Sequence, residues 1–151
     1  MNKQELTYWI TLALIPKMWT KRKNEIYVNC FQHVPQISII ELFENSSNWD
    51  IVGLNETEKI QFEEARHQLA NNSFLVEDLM SQGYDILPVT HEEYPKLLKK
   101  NLKFNAPVVI YVKGNKSLLN GWSYRPHCHR NQSIRQRMAH TQSRACRWSC
   151  D

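Results

Sequence analysis

Six side chains near the C-terminus have metal-ligand chemistry: His127, Cys128, His129, His140, Cys146 and Cys150. Structural zinc is held tetrahedrally, by ligands usually paired as Cys-x2–4-Cys and His-x3–5-His. Cys146 and Cys150 fit one half of that pattern, but His127-Cys128-His129 is too tightly spaced to supply more than one ligand easily. Chance clustering explains the set more simply, so no metal site is assigned. The same segment holds Arg125, Arg130, Arg135, Arg137, Arg144 and Arg147, with Trp122, Tyr124 and Trp148 between them. Arginines attract phosphate and aromatic rings stack on bases, but with no fold to place them they imply only weak, nonspecific attraction. Further upstream, Lys17, Lys21, Arg22 and Lys23 surround Trp19; the cluster reads as a solvated helix face that could touch a DNA backbone. The pairs Glu63-Glu64 and Glu92-Glu93 invite an acid/base reading, yet adjacent residues point apart and no partner is visible, so both read as surface. His67 reads as structural. No nucleotide-binding fingerprint, Ser-His-Asp order or catalytic cysteine context occurs. The expectation is a non-enzyme with no catalytic residues and no cofactor.

Composition divides the chain. All 11 lysines lie at or before Lys116, whereas six of the eight arginines follow Gly121. Residues 1–121 carry 13 basic and 14 acidic groups, net −1; residues 122–151 carry six arginines against Asp151, net +5. The basic character thus belongs to the tail and says nothing of a basic face on the body. No apolar run approaches the ~20 residues that span a bilayer. Cys30 is the only cysteine of the body, which points to a reducing compartment without a disulfide framework. The expectation is a cytoplasmic chain with no membrane partner.

Residues 1–82 read as a helical domain. Leu6, Trp9, Ile10, Ala13 and Leu14 form an amphipathic stripe, and Pro16 ends that helix. A second helix is expected over 17–31, with Trp19, Ile26, Tyr27 and Cys30 inward. Ile37, Ile40 and Phe43 predict a third, and Asn45-Ser46-Ser47-Asn48 a polar turn. Asn55 with Glu58 has capping-box spacing. Phe62, Ala65, Leu69, Val76 and Leu79 then predict one long helix up to Gly83, or two if Asn71-Asn72-Ser73 breaks it.

Residues 83–121 switch to α/β patterning. GYDILPVT reads as a strand, and EEYPKLLKKN as a short helix with Pro95 at its first position, Leu97 and Leu98 inward, and Lys96, Lys99, Lys100 and Lys103 outward. APVVIYVKGN reads as a second strand, apolar over Val108–Val112 as in a parallel sheet covered on both faces. Two strands and one helix cannot provide that cover, and each large apolar side chain left out forgoes roughly 1.5–3 kcal/mol. No further strand pattern follows; Trp122 opens a segment with neither helix nor strand periodicity.

The run GYDILPVTHEEYPKLLKKNLKFNAPVVIYVKGNKSLL resembles the start of the Rossmann-like domain of the DprA/Smf proteins, the bacterial DNA-processing proteins of natural transformation. Gly83, Ile86, Glu93, Tyr94-Pro95, Leu98, Pro107, Tyr111 and Gly114 match the family pattern, with Asn105 replacing the Asp of an Asp-x-Pro turn. TYWITLALIP resembles the opening helix of the family's N-terminal helical domain, which is SAM/helix-hairpin-helix-like. Lys17-Met18-Trp19 stands where that domain often has a turn with paired glycines.

The resemblance implies an α+β to α/β architecture: a helical domain over 1–82, an incomplete Rossmann-like domain over 83–121, and a basic tail over 122–151. It implies single-stranded DNA binding and loading of a RecA-type recombinase, with a homodimer in the intact family. Lys113 and Lys116, flanking the last strand, would lie near the DNA groove. The family's principal phosphate site, a Gly-Ser/Thr-Arg loop opening a helix, has no counterpart here; YRPHCHRNQ stands in its place. The tail's composition is that of an out-of-frame reading, and a frame shift near Trp122 would leave the chain with little activity. The alternatives are a free-standing helical interaction module without DNA binding, and a zinc-dependent nucleic-acid binder that uses the tail.

Overall fold

The computed structural model describes residues 1–121. The architecture is α+β: six helices in the first 81 residues, then a two-stranded sheet with short helices on its connection and exit.

Helix α1 (Lys3–Leu14) is the central element. Leu6 through Leu12 are all buried, so α1 is covered all round rather than along one stripe, and Leu14 points outward. Two threonines can be buried there because their hydroxyls bond back along the helix, Thr7 to the Lys3 carbonyl and Thr11 to the Thr7 carbonyl. Asn2 caps its N-terminus through the Glu5 N–H. Helix α2 (Thr20–Gln32) starts three residues later than expected, and Trp19 is 85% exposed instead of inward; Ile26 and Cys30 do face the core.

Helix α3 (Ile39–Glu44) has a capping box from Ser38 and Glu41. The expected polar turn at 45–48 instead opens a short helix, α4 (Ser47–Ile51), because Trp49 is drawn inward and donates its indole N–H to the Leu42 carbonyl at 2.7 Å. Helix α5 (Glu56–His67) starts at the predicted Asn55–Glu58 capping box. The long helix divides into α5 and α6 (Leu69–Ser81) at Gln68, not at Asn71-Asn72-Ser73. Asn72 does not break the helix because it is buried and donates to Thr11 Oγ1 at 2.9 Å, fastening α6 to α1. Phe43 and Phe62 stack at 5.0 Å between ring centres, with Tyr8 and Trp49 against them, at the centre of the helical core.

The strands β1 (Tyr84–Pro88) and β2 (Val109–Lys113) pair antiparallel, with Tyr84 opposite Lys113, Ile86 opposite Tyr111 and Pro88 opposite Val109. This corrects the expected parallel pairing. The connecting helix α7 (Lys96–Leu102) has seven residues, about 10 Å at 1.5 Å per residue, too short to return the chain along a five-residue strand of about 16 Å. The connection also begins and ends at one end of the sheet, pinned by the Val89 N–H on the Val108 carbonyl at 2.8 Å and by the Tyr94 hydroxyl on the Pro107 carbonyl at 2.8 Å. Pro95 is the residue before α7 rather than its first, and Leu97 is exposed. Strand β2 is covered mainly at its start: Val108 and Val109 are buried, Ile110 and Val112 half-buried, Tyr111 exposed.

The sheet shares the core of the helices. Ile86, Leu87, Val89, Tyr94 and Val108 belong to one apolar cluster with Trp9, Ile10 and Val76. Asn24 of α2 donates its amide to the Phe104 carbonyl at 2.6 Å and the Ala106 carbonyl at 2.8 Å, anchoring the 3-10 turn Lys103–Asn105 that leads into β2. A short helix, α8 (Leu118–Gly121), follows Gly114, whose φ of 105° suits glycine.

Candidate nucleic-acid interface

Helix α7 presents Lys96, Lys99 and Lys100 at the i, i+3, i+4 spacing of one helix face, and Lys103 follows just beyond its C-terminus at φ of 50°. All four are exposed, and none forms an ion pair among the described residues. Lys99 extends its ammonium to the Val89 carbonyl at 3.1 Å. Residues 96–121 hold six lysines and no Asp or Glu, so no carboxylate of their own stretch offsets that face. The net −1 of residues 1–121 conceals this segregation, which is legible in the sequence as a carboxylate-free run over 96–121.

The basic face runs into aromatic surface. Lys99, Lys103 and Phe104 line a groove of about 240 Å³ beside Tyr27. The next residue, Asn105, lines a second groove of about 550 Å³ with Trp19, Lys21 and Arg22. The Asn24 amide holds this junction in place from beneath, through the carbonyls on either side of Asn105. Lys99 and Lys103 thus line one groove and Trp19 the other, and the two grooves reach the chain at the consecutive residues Phe104 and Asn105. The Trp19 groove also holds Glu25, whereas the Phe104 ring lies beside Lys99 and Lys103, which form no ion pair among the described residues; a ring so placed can stack on a base while the cations meet phosphates.

The basic cluster around Trp19 is smaller than its sequence implies. Arg22 is held bidentate by Glu58, Nε to Oε1 at 2.7 Å and Nη2 to Oε2 at 2.9 Å, and also donates to the Gly53 carbonyl. That guanidinium holds the Glu58 carboxyl below the usual carboxylate range. Lys23 is buried, donates to the Ala13 carbonyl at the C-terminal end of α1, and has its pKa pushed down by desolvation. Lys17 and Lys21 remain at the surface, Lys21 within 4.0 Å of Glu25.

Lys113 and Lys116 leave β2 on either side of Gly114. Lys113 lies over the Tyr84 ring, 5.0 Å from its centre, across the strand pair. Lys116 sits between Glu93 Oε2 at 2.8 Å and Asp85 Oδ1 at 3.5 Å, so its charge is matched within the protein. This pairing raises the Lys116 pKa and lowers that of Glu93. Asn120 adds a donor to the Glu93 carbonyl and accepts from the Lys96 N–H, joining α8 to the start of α7.

The remaining candidates do not converge. Glu63 pairs with Arg66 at 2.9 Å, and Glu64 and Glu92 are exposed. His67 is exposed at the end of α5 rather than packed as a structural residue. No group of three or more His, Cys, Asp or Glu could hold a metal ion among the described residues, and no helix there is long and apolar enough to cross a membrane. The His127–Cys150 set, the six C-terminal arginines and the segment assigned to a frame shift lie outside the described residues. Compared with protein-family models, curated proteins and solved structures, the chain matches none.

Proposed function

We propose that this chain is a non-enzymatic, cytoplasmic binder of single-stranded DNA of the DprA/Smf type, corresponding to a helical domain and the beginning of a Rossmann-like domain. The observation that carries the reading is the unpaired lysine face of α7 leading, through Phe104 and Asn105, to the exposed Trp19. Non-specific strand binding needs backbone cations and stacking platforms, and that surface offers both. The backbone lends further support. Lys17 has φ of 58° at the place where the family's hairpin turn carries glycines, so the turn takes a conformation suited to glycine without having one. The Tyr94-Pro95 and Pro107 positions of the resemblance meet in one hydrogen bond at the foot of the sheet. In the intact family the bound strand passes to a RecA-type recombinase and the protein dimerises; lacking the Gly-Ser/Thr-Arg loop, this chain is proposed to bind weakly and to load poorly.

A filter-binding titration with oligo-dT, at about 50 and 200 mM salt and with and without chelator, tests this. Engagement of about four phosphates gives a log–log salt slope near −2.8, a loss of roughly 50-fold in affinity between the two conditions. No binding at the lower salt would favour the helical interaction module. Binding abolished by chelator would favour the zinc-dependent reading.

A further inference from the structure

A cavity of about 540 Å³ lies where the C-terminal end of α1 meets the junction of α5 and α6. Leu14, Ile15, Pro16 and Ala65 form its apolar side. Thr11 and Asn72 stand in its polar side, with Glu64, His67 and Gln68 exposed around them. Chemistry fixes how the Asn72 amide is turned. The Thr11 hydroxyl donates its proton to the Thr7 carbonyl at 2.8 Å, so toward Asn72 it can only accept, and the atom it meets at 2.9 Å is the amide nitrogen. Asn72 Oδ1 is thereby turned away from Thr11, and no group among the described residues donates to it. Asn72 is 8% exposed, yet this oxygen is not one of the wholly enclosed unpaired atoms, which among the described residues are Trp9 Nε1 and Asn24 Oδ1. It therefore keeps open surface, on a residue that lines this cavity. A nearly buried acceptor without a donor costs free energy, and most native ones find a partner. Glu64 adds an unmatched charge: it forms no ion pair among the described residues, while its neighbour Glu63 holds Arg66 at 2.9 Å and lies 4.0 Å from His67. No lysine or arginine among the described residues lines the cavity.

We propose that this cavity binds a primary alkylammonium group, which donates to Asn72 Oδ1 and lays a short hydrocarbon chain on Leu14, Ile15, Pro16 and Ala65. An ammonium offers donors and no acceptor, which suits an unpaired carbonyl oxygen, and its charge strengthens that hydrogen bond. The Glu64 carboxylate sets the sign of the field: it favours a cation, and an anion would find no lysine or arginine in the lining. A quaternary ammonium has no N–H to donate and is held by ring faces, and no Phe, Tyr or Trp lines this cavity. The volume falls within the range of small-molecule sites. The cavity shares no lining residue with the grooves at Phe104 and Trp19, so the inference does not rest on the DNA reading.

The test is a set of titrations of the full-length protein at constant ionic strength and neutral pH, followed by nitrogen-15 NMR of the backbone and side-chain amides. The probes are n-pentylamine, which is protonated there, and n-pentanol and pentanoate, which carry the same chain on a neutral and an anionic head. Pentylamine is expected to shift the Asn72 side-chain amide signals saturably and to bind about tenfold tighter than pentanol, with pentanoate weaker still. Glu64→Gln, a change at an exposed side chain, is expected to weaken pentylamine about threefold and to leave pentanol unaltered. Nα-acetyl-lysine methylamide presents the same ammonium as a peptide does, and its affinity relative to pentylamine distinguishes a protein's lysine from a free amine as the source of the group. Equal affinities for pentylamine and pentanol, a preference for pentanoate, no saturable movement of the Asn72 signals, or an equal effect of Glu64→Gln on amine and alcohol would each overturn the proposal. The wild-type comparison decides the matter without any variant.

Discussion

Replacing Asn24 tests how the helical part and the sheet are joined. Its amide nitrogen donates to two main-chain carbonyls, Phe104 at 2.6 Å and Ala106 at 2.8 Å, while its own Oδ1 is buried with no partner among the described residues. Asn24→Ala removes both donated bonds. The Phe104 carbonyl is only partly covered and loses about 1 kcal/mol; the buried Ala106 carbonyl is left unpaired at about 1–3 kcal/mol. Removing the orphaned Oδ1 returns part of this, so the net cost is expected at about 1–3 kcal/mol. Asn24→Asp has the same shape but offers oxygen where two carbonyl oxygens already point. Ionised, it is an unpaired buried charge, and a loss of about 3–5 kcal/mol is expected near neutral pH. Burial and the facing carbonyls raise the folded-state pKa of that Asp above its unfolded value of about 3.9. A raised folded pKa means stability that is present below the unfolded pKa and is lost as pH rises through the folded one. Urea unfolding followed by tryptophan fluorescence from pH 4 to 8 should therefore find Asn24→Asp approaching Asn24→Ala in acid and falling below it on neutralisation. If Asn24→Asp were the more stable of the two at pH 7, or if the gap did not change with pH, the assigned role of the amide donors would be refuted.

Other expectations follow from the same geometry. Trp19→Ala should weaken oligo-dT binding by about 1–3 kcal/mol and leave the urea midpoint unchanged, since a stacking platform is lost but no core contact; an unchanged affinity would remove Trp19 from the interface. Lys100→Ala should weaken binding uniformly across sequences and reduce the salt slope by about 0.7, whereas a slope equal to wild type would mean that Lys100 meets no phosphate. Glu58→Ala should cost about 1.5–3 kcal/mol by releasing Arg22. Because the folded pKa of Glu58 is lowered, that contribution exists above the unfolded value and fades as pH falls through the folded one, so wild type and variant should converge only in acid below that depressed folded pKa. Lys17→Gly relieves a left-handed backbone while loosening the unfolded chain, and thermal melting should find it between neutral and about 1 kcal/mol more stable.

Elements set by neighbouring residues are legible in the sequence. The Asn55–Glu58 box begins α5 as spaced, and Gly83 and Gly114 stand at positive φ where a helix and a strand end. The Tyr84–Pro88 strand, the Lys96–Leu102 helix and the Val109–Lys113 strand follow from apolar runs and turn residues within a few positions of one another. Sequence alone also excluded a membrane-length apolar helix and confined the excess positive charge to the tail. Tertiary structure decided the rest, because each outcome depends on groups distant in the chain. The strands became antiparallel because the connection between them is tied shut at one end of the sheet by Val89, Val108, Tyr94 and Pro107. Asn72 stayed helical because Thr11, 61 residues away, satisfies its amide. Of two adjacent cations, Arg22 was neutralised by Glu58 and Lys23 was buried against the end of α1. Trp19, expected inside, came to line an open groove with Asn105 because α2 turns Ile26 and Cys30 inward and Asn24 grips the chain at Phe104 and Ala106. Residue types state which charges and rings a chain owns, but whether each is neutralised, buried or left to a ligand depends on the partner that folding brings to it.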